Sequence, residues 1–101
     1  MKQDDTIDIT LLRRVRPLPS VYVRDVGDES IVLNMETEQY IGLDAVARSM
    51  WEALTTSGTV VDAIAVLLDE YNVEPDRLAA DIATFIETLA MNNLATVEPA
   101  A

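Results

Sequence analysis

Serine and carboxylate side chains are the groups in this sequence that could take part in catalysis or bind a metal ion. A serine nucleophile needs a neighbouring base, and histidine, the usual one, is absent from the 101 residues. Cysteine is absent too, so there is no thiolate nucleophile, no disulfide and no usual zinc ligand. These absences argue against a hydrolase and against a zinc site.

The carboxylates do not form an evident catalytic or metal-binding set. Asp69 and Glu70 are neighbours on a predicted helix and point to different sides, and Asp62 lies on the helix face expected to meet solvent. The stretch DVGDE (25–29) is better explained as a hairpin turn than as a calcium loop, whose ligand spacing it lacks. We therefore expect no catalytic residue, no metal, no cofactor and no enzyme activity.

The distribution of charge limits the possible partners. The formal net charge is −11, and residues 25–101 contain 15 acidic but only two basic side chains. An acidic surface repels nucleic-acid phosphates and attracts basic partners, although it also keeps small proteins soluble. The chain has no apolar run of about 20 residues that could span a membrane, and its first residues are not a signal peptide. We expect a cytoplasmic protein that binds neither nucleic acid nor membrane.

The spacing of apolar residues predicts three short strands followed by three helices. VYVRDV (21–26), SIVLN (30–34) and QYIGL (39–43) are joined by brief turns, as in an antiparallel meander. Asp44 and Thr59 are predicted N-caps of the first two helices. The third helix is expected from about residue 75 to about residue 92, with one apolar stripe along it: Leu78, Ile82, Phe85, Ile86 and Leu89.

This order predicts an α+β fold of the winged helix-turn-helix type, with a three-stranded antiparallel sheet followed by three helices. Residues 1–20 are expected to form an N-terminal arm or linker, in which the stretch before Pro17 is either a short strand or an ordered arm. Residues 21–97 form the predicted domain, and residues 98–101 form a tail.

The third predicted strand, QYIGL (39–43), leaves an edge that soluble proteins usually cover. A peptide can add to such an edge through backbone hydrogen bonds. The third helix would form the opposite wall of the resulting groove. Two other interpretations remain open: the apolar residues of this helix all belong to the core, or two copies pair edge to edge as a homodimer.

Residues 20–97 resemble the PqqD-like family, whose members are also called RiPP recognition elements. The resemblance rests on the order and spacing of VLNMETEQYIGLD, ARSMWEAL, VVDAIAVLLDEYNVEPDRLAADI and LAMNNL. The chain departs from the family after the third strand, where many relatives have an asparagine and then a glycine. Asp44 and Ala47 stand at these two positions here.

The resemblance implies a non-catalytic module that binds the leader segment of a ribosomally made precursor peptide and delivers it to a modifying enzyme. That enzyme would be a leader protease, a cyclase or a radical SAM enzyme, and stand-alone members of this length resemble those of lasso-peptide pathways. The leader would add to the third strand and pack against the third helix. Carried over by position, the walls of the site are Glu38, Gln39, Tyr40, Ile41 and Gly42 on the strand side, and Arg77, Leu78, Asp81, Ile82 and Phe85 on the helix side.

Two other classes of function are weighed against this one. A DNA-binding winged helix-turn-helix needs several basic residues on its recognition helix, and the third helix has only Arg77. A structural or regulatory subunit would dock on a biosynthetic enzyme without binding a leader, and RRVR (13–16) suits an acidic enzyme surface.

Overall fold

The computed structural model describes residues 12–99. The elements follow in the order β1 (Arg13–Pro17), β2 (Val21–Val26), β3 (Glu29–Asn34), β4 (Tyr40–Leu43), α1 (Ala45–Thr56), α2 (Val60–Glu70), α3 (Pro75–Met91) and β5 (Ala95–Pro99). The predicted α+β fold is confirmed, since a three-stranded antiparallel sheet precedes three helices in a winged helix-turn-helix-like arrangement.

The three-stranded sheet has the order β2-β3-β4, with both pairs antiparallel. Because side chains alternate between the faces of a strand, one face packs on the helices and the other is open. Val32 and Leu43 are buried on the inner face, and Ile41 packs against the same core. Tyr22 and Tyr40 lie on the outer face, 62% and 64% exposed.

A second, two-stranded sheet joins the two ends of the described chain. β1 pairs antiparallel with β5, and Val15 lies opposite Val97. Val15 is only 3% exposed and belongs to the core. Residues 13–17 of the expected arm are therefore a strand, one of the two alternatives that the sequence left open. Residues 1–11 and 100–101 lie outside the described residues, so the predicted boundaries of the arm and the tail remain predictions.

The helix starts follow from local chemistry. The carboxylate of Asp44 accepts a hydrogen bond from the Ala47 N–H at 2.8 Å, and the Thr59 hydroxyl accepts one from the Asp62 N–H at 3.2 Å. Both caps occupy the positions that the sequence predicts, and each satisfies an N–H that has no partner within the helix. α3 begins with Pro75, which lacks an N–H to satisfy.

Candidate functional site

The outer edge of β4 carries backbone groups that no described strand uses. The Asn34 N–H donates to the Gln39 carbonyl at 2.9 Å, which makes these two residues a hydrogen-bonded pair of the β3–β4 ladder. Hydrogen-bonded and non-hydrogen-bonded pairs alternate in an antiparallel ladder, so the backbone groups of Ile41 face β3. The N–H and C=O groups of Tyr40 and Gly42 therefore point away from the sheet.

The buried amide of Asn34 holds the turn that leads into β4. Asn34 is 1% exposed, and its Oδ1 accepts hydrogen bonds from the Glu36 and Thr37 N–H groups at 2.8 and 3.2 Å. The same oxygen accepts from the Ser20 hydroxyl at 2.9 Å. Its Nδ2 donates to the Asn93 carbonyl at 2.6 Å. Since buried polar groups need partners, this network fixes the turn against two distant parts of the chain.

A second contact ties the start of β4 to the turn after α3. The Asn93 side-chain amide donates to Gln39 Oε1 at 2.6 Å. Asn93 has a φ of 56°, in the left-handed region that asparagine tolerates better than most residues. The turn after the third helix thus helps to hold the edge strand in place. No local pattern in the sequence indicates this pairing.

A groove of about 430 Å³ opens between α1 and the start of α3. It begins at Val46, two residues beyond the Asp44 cap that follows β4. Its apolar walls are formed by Val46, Met50, Leu67, Tyr71, Val73 and Leu78, and its polar side by Glu74, Arg77 and Asp81. The edge of β4 therefore ends close to a groove that has α3 as one wall.

The charges beside the groove are exposed and mostly acidic. Arg77 Nε lies 3.6 Å from Asp81 Oδ2, one turn further along α3. Ion pairs of this kind contribute little to stability because water screens them. Glu74 adds a second carboxylate, so the acidic side chains outnumber the basic one. This side of the groove suits a basic ligand better than an acidic one.

The ten residues carried over by position fall into three groups. Arg77, Leu78 and Asp81 line the groove. The strand residues form the free edge and the turn before it: Glu38, Gln39, Tyr40, Ile41 and Gly42. Ile82 is 1% exposed and packs in the core, and Phe85 is half-buried against it. The assignment of all ten to a binding site remains a prediction.

Two residues of α1 also line the groove, although the sequence did not predict them to be part of the site. Val46 and Met50 lie four residues apart, on one apolar face of α1. Their spacing is that of any core-facing helix. Val46 lines the groove with 46% of its surface exposed.

Asp25, at the end of β2, has a pKa held below its ordinary value. A hydrogen bond donated by the Ser30 hydroxyl is the main cause, followed by one from Arg48.

Within residues 12–99, no cluster of three potential metal-ligating side chains is present. None of the described helices is long and apolar enough to cross a membrane.

Comparison with known proteins identifies the family. Residues 29–95 match the family model of coenzyme PQQ synthesis protein D (PqqD). The search of curated proteins gave no match.

Two solved structures are similar over most of their length. TbiB1, in complex with the TbiA(beta) leader peptide, has 26% identity and a TM-score of 0.69, over 79% of this chain and 93% of its own. A lasso peptide synthetase B1, complexed with the leader peptide, has 25% identity and a TM-score of 0.70, over 82% of this chain and 98% of its own. The resemblance to the PqqD-like family is thus confirmed, and the chain belongs to the PqqD family.

Proposed function

We propose that this protein is a non-catalytic module that captures the leader segment of a ribosomally made precursor peptide and delivers it to a modifying enzyme. The observation that carries the proposal is the free edge of β4 beside the groove on α3. The similar solved structures, which are complexes with leader peptides, support it.

The leader adds to β4 as a fourth strand. Tyr40 and Gly42 offer two N–H and two C=O groups to it. Each hydrogen bond contributes a net of about 0.5–1.5 kcal/mol, or about 2–6 kcal/mol in total. A micromolar Kd corresponds to about 8 kcal/mol, before the cost of ordering the peptide is counted. Backbone pairing is therefore too weak by itself.

Apolar side chains of the leader supply the remaining affinity. Burying one aliphatic or aromatic side chain stabilises a complex by about 1.5–3 kcal/mol. Val46 and Val73, which are 46% and 42% exposed, offer an apolar surface in the groove for one or two such side chains, and the largely buried Met50 and Leu78 also line it. The proposed binding surface consists of the ten residues predicted from the sequence together with Val46 and Met50, with Ile82 and Phe85 acting from beneath it.

Electrostatic attraction selects leaders with basic residues. Asp81 and Glu74 lie beside the groove, and Glu38 is exposed next to β4. Because these carboxylates are exposed, salt weakens their attraction to a basic leader, mainly through the association rate. We expect the protein to act in the cytoplasm, where precursor peptides are synthesised, and to serve a leader protease, a cyclase or a radical SAM enzyme.

A binding titration tests the function. Fluorescein-labelled leader segments of the precursor peptides encoded beside the gene are titrated with the protein, and a scrambled peptide of the same composition is the control. The label belongs on the peptide, because Trp51 is buried and is not in the groove. Saturable binding at micromolar Kd that the scrambled peptide lacks supports the proposal. Equal affinity for both peptides, or no binding, refutes it.

A second candidate is a docking subunit that binds a biosynthetic enzyme but no leader. The basic strand β1, with Arg13, Arg14 and Arg16 on an otherwise acidic protein, favours this alternative. Co-purification with the neighbouring enzyme, together with no binding of any leader, distinguishes it.

An edge-to-edge homodimer through β4 is a further alternative, and sedimentation at several concentrations, with and without leader, tests it.

A further inference from the structure

We propose that the outer face of the sheet at Gly42 is a second subsite for the bound peptide, and that it takes an aromatic side chain. The inference rests on the proposed function, because the peptide must first add to β4. The subsite lies on the opposite side of the sheet from the core-facing Ile41.

Glycine at position 42 has no explanation within the chain itself. Gly27 has a φ of 62°, which favours glycine, but Gly42 lies outside the left-handed region. A Cβ atom built on Gly42 would meet no other atom within 4 Å. Glycine in a strand interior weakens the strand, and it often marks a place where a ligand or another backbone approaches closely. The free edge of β4 is such a place.

The direction of the backbone groups determines which peptide side chains reach this face. Gly42 and Tyr40 point their N–H and C=O groups to the free edge, so an added strand places one residue opposite each of them. Side chains opposite each other in a sheet lie on the same face, whether the added strand is parallel or antiparallel. These two peptide residues, spaced two apart, therefore project onto the outer face, and the residue between them projects inward.

The shape at Gly42 suits a flat ring. Ile31, the β3 partner of Gly42, is partly buried, and Tyr40 stands two residues away on the same face with 64% of its surface exposed. A side chain opposite Gly42 can extend across the bare backbone toward Ile31 and contact Tyr40 diagonally. Long or aromatic side chains are able to reach across both of these distances. Aromatic residues pack over strand glycines in this manner, and the ring also gains an aromatic contact with Tyr40.

Selection from a displayed library of random 12-residue peptides tests the proposal. The full-length protein and its Gly42→Val variant are used as targets, with Gly42→Ala as an intermediate variant. The Val side chain fills the space over the backbone but keeps the N–H and favours a strand, so the fold is retained. Each selected peptide is then synthesised, and its residues are replaced singly by alanine.

We expect wild-type binders to contain one aromatic residue whose replacement by alanine weakens binding about fivefold, the upper range for a cross-strand pair. With Gly42→Val the same replacement should weaken binding less than twofold, with Gly42→Ala in between. The subsite would be overturned if wild-type binders show no aromatic preference, or if the preference is the same for Gly42→Val. Either result would leave the proposed function intact. Failure to select any peptide that binds wild-type protein would refute both.

Discussion

The two edges of the three-stranded sheet differ in how they meet solvent. β2 is six residues long and includes Arg24 and Asp25, both exposed, whereas β4 is four residues long, YIGL, and contains no charge. Charged side chains on an edge strand discourage pairing with another chain. The β2 edge has this protection, and the β4 edge, which ends three residues before Val46 of the groove, does not. The difference indicates that the β2 edge is protected from pairing with another chain, whereas the β4 edge is available for it.

Replacing Gly42 with proline should have the largest effect on the β4 edge. Proline removes the outward N–H and places a ring where the added strand must approach. We expect leader affinity to fall at least about tenfold, the upper range for one hydrogen bond, with further loss from the ring. The fold should survive, because this N–H is not used in the β3–β4 ladder. Circular dichroism and a peptide titration measure the two effects.

Two variants serve as controls for this substitution. Gly42→Ala keeps the N–H and should bind within about threefold of wild type, because the space for a Cβ is empty. Ile41→Pro removes an N–H that faces β3, so it should lower the unfolding temperature as well as the affinity. Full binding by a folded Gly42→Pro protein would exclude strand addition at that residue.

Substitution of two matched valines tests whether the groove contributes to leader binding. Val46 and Val61 are the second residues of α1 and α2, and they are 46% and 44% exposed, but only Val46 lines the groove. We expect Val46→Ser to weaken leader binding about fivefold through lost apolar burial. Val61→Ser should leave it unchanged, and both should alter stability similarly. Equal affinities of the two variants in the titration would remove the groove from the site.

The contact between Asn93 and Gln39 can be removed without disturbing the fold. Asn93→Gly keeps the carbonyl that Asn34 binds and suits the positive φ, so the unfolding temperature should not fall. Leader affinity should decrease about twofold to threefold, because the start of β4 is less fixed before binding. Gln39→Ala should have the same effect, and the double variant no more than either one. Additive losses would show that the two side chains act separately.

The smallest expected effect is on the pH dependence of unfolding, through Asp25 on the β2 edge. The lowered pKa of Asp25 means that its carboxylate stabilises the fold above its ordinary pKa of 3.8, and this stabilisation is lost as the pH falls below that value. Asp25→Asn should therefore make unfolding less dependent on pH below about 4 and change little at pH 7, since the group is exposed. Urea unfolding of both proteins at pH 3 and pH 7 measures this. An unchanged pH dependence would show that the Ser30 and Arg48 contacts do not stabilise the carboxylate.

Comparison of particular residues shows how far the sequence anticipates the site. Asp44 and Thr59 are recognisable as caps because a helix start depends on contacts within four residues. Leu78 and Ile82 occupy the same predicted stripe and both are buried, at 5% and 1% exposed, yet Leu78 also lines the groove. Periodicity identifies the face of a helix but not which of its residues a neighbouring helix covers.

By itself, the sequence determines the order and kind of the main elements and the acidic character of the protein, because these depend on local spacing and on composition. The tertiary structure alone decides that Val15 pairs across from Val97, and that Asn34 reaches Asn93, 59 residues away. It also decides which backbone groups of β4 remain unpaired and that a groove opens beside Val46. The physical reason is that these features depend on contacts between distant segments, whose relative positions emerge only when the whole core packs.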